Sequence, residues 1–243
     1  EVAENVYVLS FHSPLISRGV LPGQFLNIRV AEGSDPLLRR PFSVYNVDGE
    51  SLEIVFNVVG RGTSVLRGKS PQDCIDVIGP LGRPFSFAGD DFETGVLLAG
   101  GMGVAPMPLL TRGLRQAGKD VVTFLGARTR TAITPFHLQN LHLATDDGSE
   151  GYHGTVIDLA RQTLGTLQLR RPKLLACGPT AMLRAVAGLA QETGFPCEVS
   201  LEGPMACGFG ICQGCPVELK GQAKKYALMC KDGPVFDVRT IRF

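Results

Sequence analysis

The chain has 243 residues, 24 Lys and Arg against 23 Asp and Glu, and 44% hydrophobic residues. That length fits one large domain, or two modest ones with an appendage. The near balance of charge gives no electrostatic case for DNA, RNA or an anionic membrane face as a partner.

Residues 1 to about 90 read as antiparallel sheet. Alternating or β-branched stretches fall at Val6–Phe11, Gln24–Val30, Phe42–Val47, Leu52–Val59 and Cys74–Ile78. Pro22-Gly23, Asp48-Gly49 and Gly79-Pro80 are the turn signals between them. A short helix is expected after Gly62, capped by Thr63 or Ser64. Many short strands with little helix favour a barrel or sandwich, and a small barrel is the expectation because closure removes exposed edges.

Near residue 94 the rhythm changes. Apolar runs at Val96–Ala99, Val121–Leu125, Leu141–Ala144, Leu174–Ala176 and Cys197–Leu201 alternate with helical stretches at Ala105–Ala117, Thr155–Leu164 and Ala181–Thr193. Continuous apolar strands between helices predict a parallel sheet covered on both faces. This domain is placed at 91–200, with 201–243 as a small appendage. The longest uncharged stretch, Thr94 to Thr111, is broken by glycines and prolines and is a poor membrane span. The opening EVAENVYVLS has no basic region and no apolar run of the kind that leads a secreted chain. With seven cysteines, an odd number, it suggests a reducing, cytoplasmic setting.

Four of those cysteines, Cys207, Cys212, Cys215 and Cys230, form a C-x4-C-x2-C-x14-C pattern threaded with Gly208, Gly210 and Gly214. Thiolates are soft ligands, and this spacing suits a plant-type [2Fe–2S] centre. Glycines let a short loop wrap a cluster and aim N–H groups at sulfur. A structural zinc or plain structural or disulfide cysteines are the other readings. A [4Fe–4S] run would be spaced differently.

Four further motifs suggest ligands. Arg39-Arg40-Pro41-Phe42-Ser43 offers guanidinium forks for a diphosphate, or a solvated basic pair before a turn. Gly60-Arg61-Gly62-Thr63-Ser64 lies where a strand meets a helix, as a phosphate cradle or a simple turn. Gly100-Gly101-Met102-Gly103-Val104-Ala105-Pro106 follows an apolar strand, where a doubly wound sheet binds a dinucleotide, although it departs from G-x-G-x-x-G. Cys177-Gly178-Pro179-Thr180 ends another strand, so Cys177 borders a reacting ring or is a buried apolar thiol. Cys74 and Cys197 are expected in the core. His12, His137, His142 and His153 show no ligand spacing, and no acid–base pair stands out.

RRPFSV at 39–44, VGRGTSVL at 59–66, GGMGVAP at 100–106, ACGP at 176–179, CGFGICQGCPV at 207–217 and CKDGPVF at 230–236 occur in that order, with TDDGS at 145–149. Together they resemble the electron-transfer subunits of class 1B dihydroorotate dehydrogenases, in the ferredoxin–NADP reductase superfamily. The resemblance implies a six-stranded FAD-binding β-barrel at 1–90, an NAD-binding α/β domain at 91–200 and a [2Fe–2S] domain at 201–243. It implies FAD contacts by Arg40, Pro41, Phe42 and Ser43, with Val55, Phe56 and Asn57 along the flavin and Gly62 and Thr63 at its pyrophosphate. Gly101, Gly103 and Pro106 would face the nicotinamide dinucleotide, with Cys177 and Gly178 near its ring. Cys207, Cys212, Cys215 and Cys230 match the cluster ligands in order and spacing. Where many superfamily members have tyrosine this chain has Phe42, and Arg128 and Arg130 leave NADP open beside NAD.

The resemblance implies a place for this chain in pyrimidine (UMP) biosynthesis. An FMN-containing dihydroorotate dehydrogenase subunit, in a heterotetramer of two of each, would oxidise dihydroorotate. Electrons would pass through [2Fe–2S] and FAD to NAD⁺. A related reductase linking NAD(P)H to ferredoxin or a sulfur compound shares nearly every motif. A zinc-containing nucleotide-binding regulatory protein is the alternative of another class.

Overall fold

The structure, a computed structural model, describes residues 1–221 and 224–243. Its first part contains β1 (Val6–His12), α1 (Pro14–Ser17), β2 (Phe25–Arg29), β3 (Arg40–Ser43), β4 (Asn46–Asp48), β5 (Ser51–Asn57), α2 (Arg61–Arg67) and β6 (Asp76–Leu81). These strands form two three-stranded antiparallel sheets, ordered β1-β5-β4 and β3-β2-β6. Leu26 and Ile28 of β2 and Leu52, Ile54 and Phe56 of β5 share one core, as the two-residue period of strands requires. The expected single ladder of six strands is not what the hydrogen bonds draw. Residues Leu9–His12 of β1 face the segment Lys69–Ile75 across a cavity of about 620 Å³. The segment read as one strand, Phe42–Val47, is two. Its middle crosses between sheets, with Val44 N–H on the Gln24 carbonyl (3.2 Å) and Tyr45 N–H on the Glu53 carbonyl (2.8 Å).

The second part contains β7 (Thr94–Gly100), α3 (Met107–Gln116), β8 (Asp120–Ala127), β9 (Leu141–Thr145), β10 (Tyr152–His153), α4 (Val156–Leu164), β11 (Pro172–Cys177), α5 (Thr180–Thr193) and β12 (Cys197–Ser200). The tail adds β13 (Pro216–Glu218), β14 (Tyr226–Leu228), α6 (Met229–Asp232) and β15 (Val235–Asp237). One seven-stranded sheet runs β10-β9-β8-β7-β11-β12-β15, parallel as far as β12 and antiparallel at β15. Every residue of β7 is buried, because both faces are covered. Val96 and Leu98 pack with α4 and α5, and Leu97 and Ala99 pack with α3. The direction of strand addition reverses between β7 and β11, which opens a crevice at their carboxyl ends.

Contacts between the parts are specific. Leu109 of α3 is buried in the core of the first part. The Arg112 guanidinium donates to the Val47 carbonyl (2.5 Å) and to Asn46 Oδ1 (3.2 Å). The tail is stitched in rather than appended. Besides the β12–β15 ladder, Leu201 N–H donates to the Pro234 carbonyl (2.9 Å), and Arg83 N–H donates to the Gly233 carbonyl (2.5 Å). Cys197 is buried as expected, whereas Cys74 is exposed, because it lies on the segment outside the first core.

Candidate functional site

Three surfaces gather the residues that the sequence marks for ligands. The first is built on β3. Arg40 lies over the start of α2, where a Cβ on Gly62 would sit 3.0 Å from its Nε. The α2 N–H groups of Arg61, Gly62 and Thr63 have no carbonyl partner within the helix. A guanidinium over free N–H groups suits a diphosphate. Arg39 is tied away by an ion pair with Asp76 (2.7 Å). The Thr63 hydroxyl accepts from Val59 N–H (3.0 Å) and Gly60 N–H (3.3 Å), so it shapes the turn and leaves only its backbone for a phosphate. The pleat divides the remaining residues. Phe42 meets Phe56 edge-on, with ring centroids 5.8 Å apart, on the core side. Val55 packs with Tyr45, Ala105 and Met102 on the opposite face. Asn57 presents a buried Oδ1 with no partner, an acceptor suited to a ligand donor. The three β5 side chains therefore divide between the two faces of the strand.

The second surface lies at the carboxyl ends of the parallel strands. A cleft of about 400 Å³ is lined by Gly100, Gly101, Arg128, Asp146, Thr155 and Met182, among others. Gly101 has φ +52 and open space where a side chain would be, so its backbone is bare to the cleft. Gly103 plays another part. A Cβ there would stand 2.1 Å from the Cys177 carbonyl oxygen, so its bareness admits β11, not a ligand. Pro106 is buried and starts α3, away from the cleft lining. Gly178 is buried beneath Met182 and beside the Gly100 backbone.

Pro41 and Ser43 point to the other side of β3, into a cavity of about 110 Å³ shared with Ser200, Glu202 and Pro234. The Cys177 thiol lies 3.6 Å from Glu202 Oε1. Burial, and then the Glu202 charge, pushes the Cys177 thiol well above its usual value. Burial likewise raises the Glu202 carboxyl. Its atoms are open to solvent yet walled by protein, as at the bottom of a cleft. Glu202 was missed by sequence reasoning. Only its position just after the β12 apolar run marked it, and its contacts come from distant segments.

The third surface is the cysteine loop. Cys212 N–H points at Cys207 Sγ (3.5 Å), Gly214 N–H at Cys212 Sγ (3.4 Å) and Cys230 N–H at Cys215 Sγ (3.5 Å). The Cys215 and Cys230 sulfurs are 3.3 Å apart. The Cys212 N–H, with those of Phe209 and Ile211, holds the Cys207 thiol down at about 6. Burial and the Cys215 sulfur push Cys230 up to about 12. Among the described residues no group of three or more His, Cys, Asp and Glu side chains surrounds a single metal-ion position. Cys215 and Cys230 meet sulfur to sulfur, while Cys207 Sγ meets the Cys212 backbone. Sulfur donors ringed by N–H groups fit an iron–sulfur group. The loop rests on the first part: buried Asn27 of β2 donates from Nδ2 to the Cys207 carbonyl (2.9 Å).

Comparison with known proteins agrees with this geometry. A family model for the iron-sulfur cluster binding domain of dihydroorotate dehydrogenase B matches residues 202–242. The dihydroorotate dehydrogenase B (NAD(+)) electron transfer subunit of Bacillus caldolyticus is 38% identical, over 97% of this chain and 92% of that protein. Its counterpart in Desulforamulus reducens is 37% identical over the same shares. The chain belongs to this family of electron transfer subunits. The structure also resembles that of an NADH-dependent reduced ferredoxin-NADP oxidoreductase. The TM-score is 0.88 and the identity 32%, with 100% of this chain and 87% of that one covered. As in a reductase of that superfamily, the dihydroorotate dehydrogenase B subunit sets a flavin-type domain beside a nucleotide-binding sheet. Its cysteine loop adds the iron–sulfur segment to that frame. No described helix is long and apolar enough to cross a membrane.

Proposed function

We propose that this chain is the electron-transfer half of an NAD-linked dihydroorotate dehydrogenase in pyrimidine biosynthesis. FAD is held on β3 and α2, a [2Fe–2S] group by Cys207, Cys212, Cys215 and Cys230, and NAD in the cleft at the ends of β7, β8 and β11. Bound there, a flavin exchanges hydride with a nicotinamide and single electrons with an iron–sulfur cluster. The chain's own residues place and tune these groups. Arg40 and the α2 N–H groups neutralise a diphosphate, and Asn57 offers its unpartnered oxygen. Ser43 and Glu202 wall the small cavity where nicotinamide and flavin rings meet, with Cys177 against Glu202. On this reading the two three-stranded sheets act together as the FAD-binding barrel.

The observation that carries the reading is the Asn27 bond to the Cys207 carbonyl (2.9 Å). It fixes the cysteine loop against the strand that pairs with β3, so ligand sulfurs and flavin face share one wall. The chain carries no convincing base for dihydroorotate, which assigns that chemistry to an FMN-containing catalytic subunit, two of each in the complex. Anaerobic purification tests the whole. Expected are flavin bands, an iron–sulfur spectrum, two irons and two acid-labile sulfides per chain, and FAD on extraction. A colourless protein holding zinc refutes it. The likeness to the ferredoxin-linked reductase supports a second reading, in which the partner is ferredoxin-linked. Co-purification with a dihydroorotate-oxidising subunit decides between them.

A further inference from the structure

The fold sets two of the seven cysteines sulfur to sulfur. Cys215 and Cys230 are 5% and 2% exposed, and their Sγ atoms are 3.3 Å apart. Among the described residues no other two cysteine sulfurs make such a contact. The backbone holds the pair in place. Cys215 precedes β13, and Cys230 lies in α6 just past β14. Pro216 pairs with Leu228 across β13 and β14, and Met229 N–H donates to the Cys215 carbonyl (2.8 Å). Leu228 N–H on Asp232 Oδ2 (2.7 Å) fixes the turn into α6. Cys207 and Cys212 stand differently. Their sulfurs take backbone N–H groups, Cys212 is exposed, and Cys207 is tied through its carbonyl to Asn27. Cys74 is exposed on a distant segment, and Cys177 and Cys197 are buried in β11 and β12.

A disulfide needs two sulfurs about 2.05 Å apart on neighbouring backbones. The Cys215 and Cys230 sulfurs reach that by closing roughly 1.3 Å, with the β13–β14 backbone already holding them side by side. We infer that Cys215 and Cys230 form a reversible disulfide when the iron–sulfur group is lost, a latch that spares this pair further oxidation and closes the site to iron until it is reduced. The inference rests on the cysteine loop holding iron as proposed above. Hydrogen peroxide is the oxidant. It turns one thiol into a sulfenic acid with release of one water, and the second thiol attacks that sulfur and expels another water. Two thiols thus give two electrons and two protons to one peroxide. Burial slows the first step, whereas a sulfur already in contact speeds the second. The sulfenic acid is therefore consumed before it can be oxidised to sulfinic acid. Cys212 is exposed and has no sulfur neighbour, so it is the ligand that goes on to sulfinic acid. With the latch closed, two of the four proposed ligands have no thiolate to offer iron.

The test reads thiols directly. The full chain is stripped of iron with a chelator under reducing conditions, desalted, and treated with one equivalent of hydrogen peroxide. Free thiols are then alkylated, and the digest is analysed by mass spectrometry. The expected product is a peptide pair joined through Cys215 and Cys230, with Cys207 and Cys212 alkylated. Excess peroxide should place sulfinic acid on Cys212 and leave the joined pair as it was. The latched chain should take up no iron with sulfide until dithiothreitol is added. Chain that still carries its iron should show no joined pair. Cys212→Ser should keep the link, and Cys230→Ser should lose it and gain sulfinic acid at Cys215. A link between Cys207 and Cys212 instead, four alkylated thiols, or iron uptake by the joined chain overturns the inference. Purified protein that holds zinc in place of iron overturns the cluster reading itself, and the peptide measurement still decides whether the two sulfurs join.

Discussion

Gly101 and Gly103 stand two residues apart in one turn, yet the structure gives them opposite duties, and alanine at each separates folding from binding. At Gly103 a Cβ would lie 2.1 Å from the Cys177 oxygen, 2.4 Å from its carbonyl carbon and 2.6 Å from Gly178 Cα. All three are backbone atoms of the β11 end, so no side chain can swing aside. Overpacking commonly costs about 1–3 kcal/mol, and a clash between two backbones belongs at the upper end, about 3 kcal/mol. For a chain of this size that lowers Tm by roughly 6–12 °C. At Gly101 a Cβ meets nothing within 4 Å, and the residue has φ +52. Gly101→Ala costs only the left-handed backbone strain, about 1–2 kcal/mol, while its methyl enters the nucleotide's space. Calorimetry with steady-state NADH oxidation reads both effects. Gly103→Ala should lose the larger share of Tm, and Gly101→Ala should show a several-fold higher KM for NADH with a smaller fall in Tm. A Gly103→Ala protein within 2 °C of wild type, or a Gly101→Ala protein equally destabilised, would refute this reading of the turn.

Cys212→Ser is expected to abolish the iron–sulfur spectrum and electron exchange with the partner. Flavin reduction by NADH should survive, and its loss with FAD still bound would count against the modular arrangement. Asn27→Ala removes the bond to the Cys207 carbonyl and should speed iron loss to a chelator, at about 1–2 kcal/mol of stability. Lys173 is 4% exposed and sits 3.1 Å from Glu198 Oε1, so Lys173→Met leaves a largely buried carboxylate without its cation, with only the Ser86 N–H (2.9 Å) still donating to it. A loss of about 3 kcal/mol in urea unfolding is expected, with partial recovery on adding Glu198→Gln. The Ser149 hydroxyl and N–H hold the Asp147 carboxyl down at about 2. A depressed carboxylate stabilises the fold above its ordinary pKa and ceases to do so as pH falls toward the lowered one. The turn should therefore loosen between about pH 4 and pH 2, read by hydrogen exchange at the Ser149 and Arg130 amides.

Much of this architecture could be read before any coordinates, for reasons that are local. The apolar runs of β7 and β11 are unbroken because both their faces are buried, and burial of that kind shows directly in composition. Cysteine spacing is also local, and three of the four sulfurs share one loop. What escaped depends on distant partners. Nothing near Phe42–Val47 says that the chain leaves one sheet for another at Val44, because both halves keep the strand pattern. Gly103 looked like a phosphate glycine, and only the approach of Cys177, far along the chain, gives it a packing role. Thr63 carried a hydroxyl at the right place for a phosphate, but the Val59 and Gly60 N–H groups use it. Glu202 lay outside every motif, since its neighbours Ser43 and Cys177 come from two other segments.

The tail had the most legible motif and the least legible position. Its fourth cysteine, Cys230, lies just before Gly233 and Pro234, which meet Arg83 at the end of β6 and Leu201 beyond β12. From there β15 enters the central sheet beside Ser200. Cys207, at the other end of the proposed ligand set, is held by Asn27. The four sulfurs are therefore suspended between the first part and the edge of the sheet. A loop anchored at one end only would leave the distance from sulfur to flavin face to vary with its own motion. Anchoring at both ends would fix, through packed elements, the distance between the proposed ligand sulfurs and the proposed flavin face, and electron transfer between bound groups requires a fixed distance more than it requires any particular side chain in the gap.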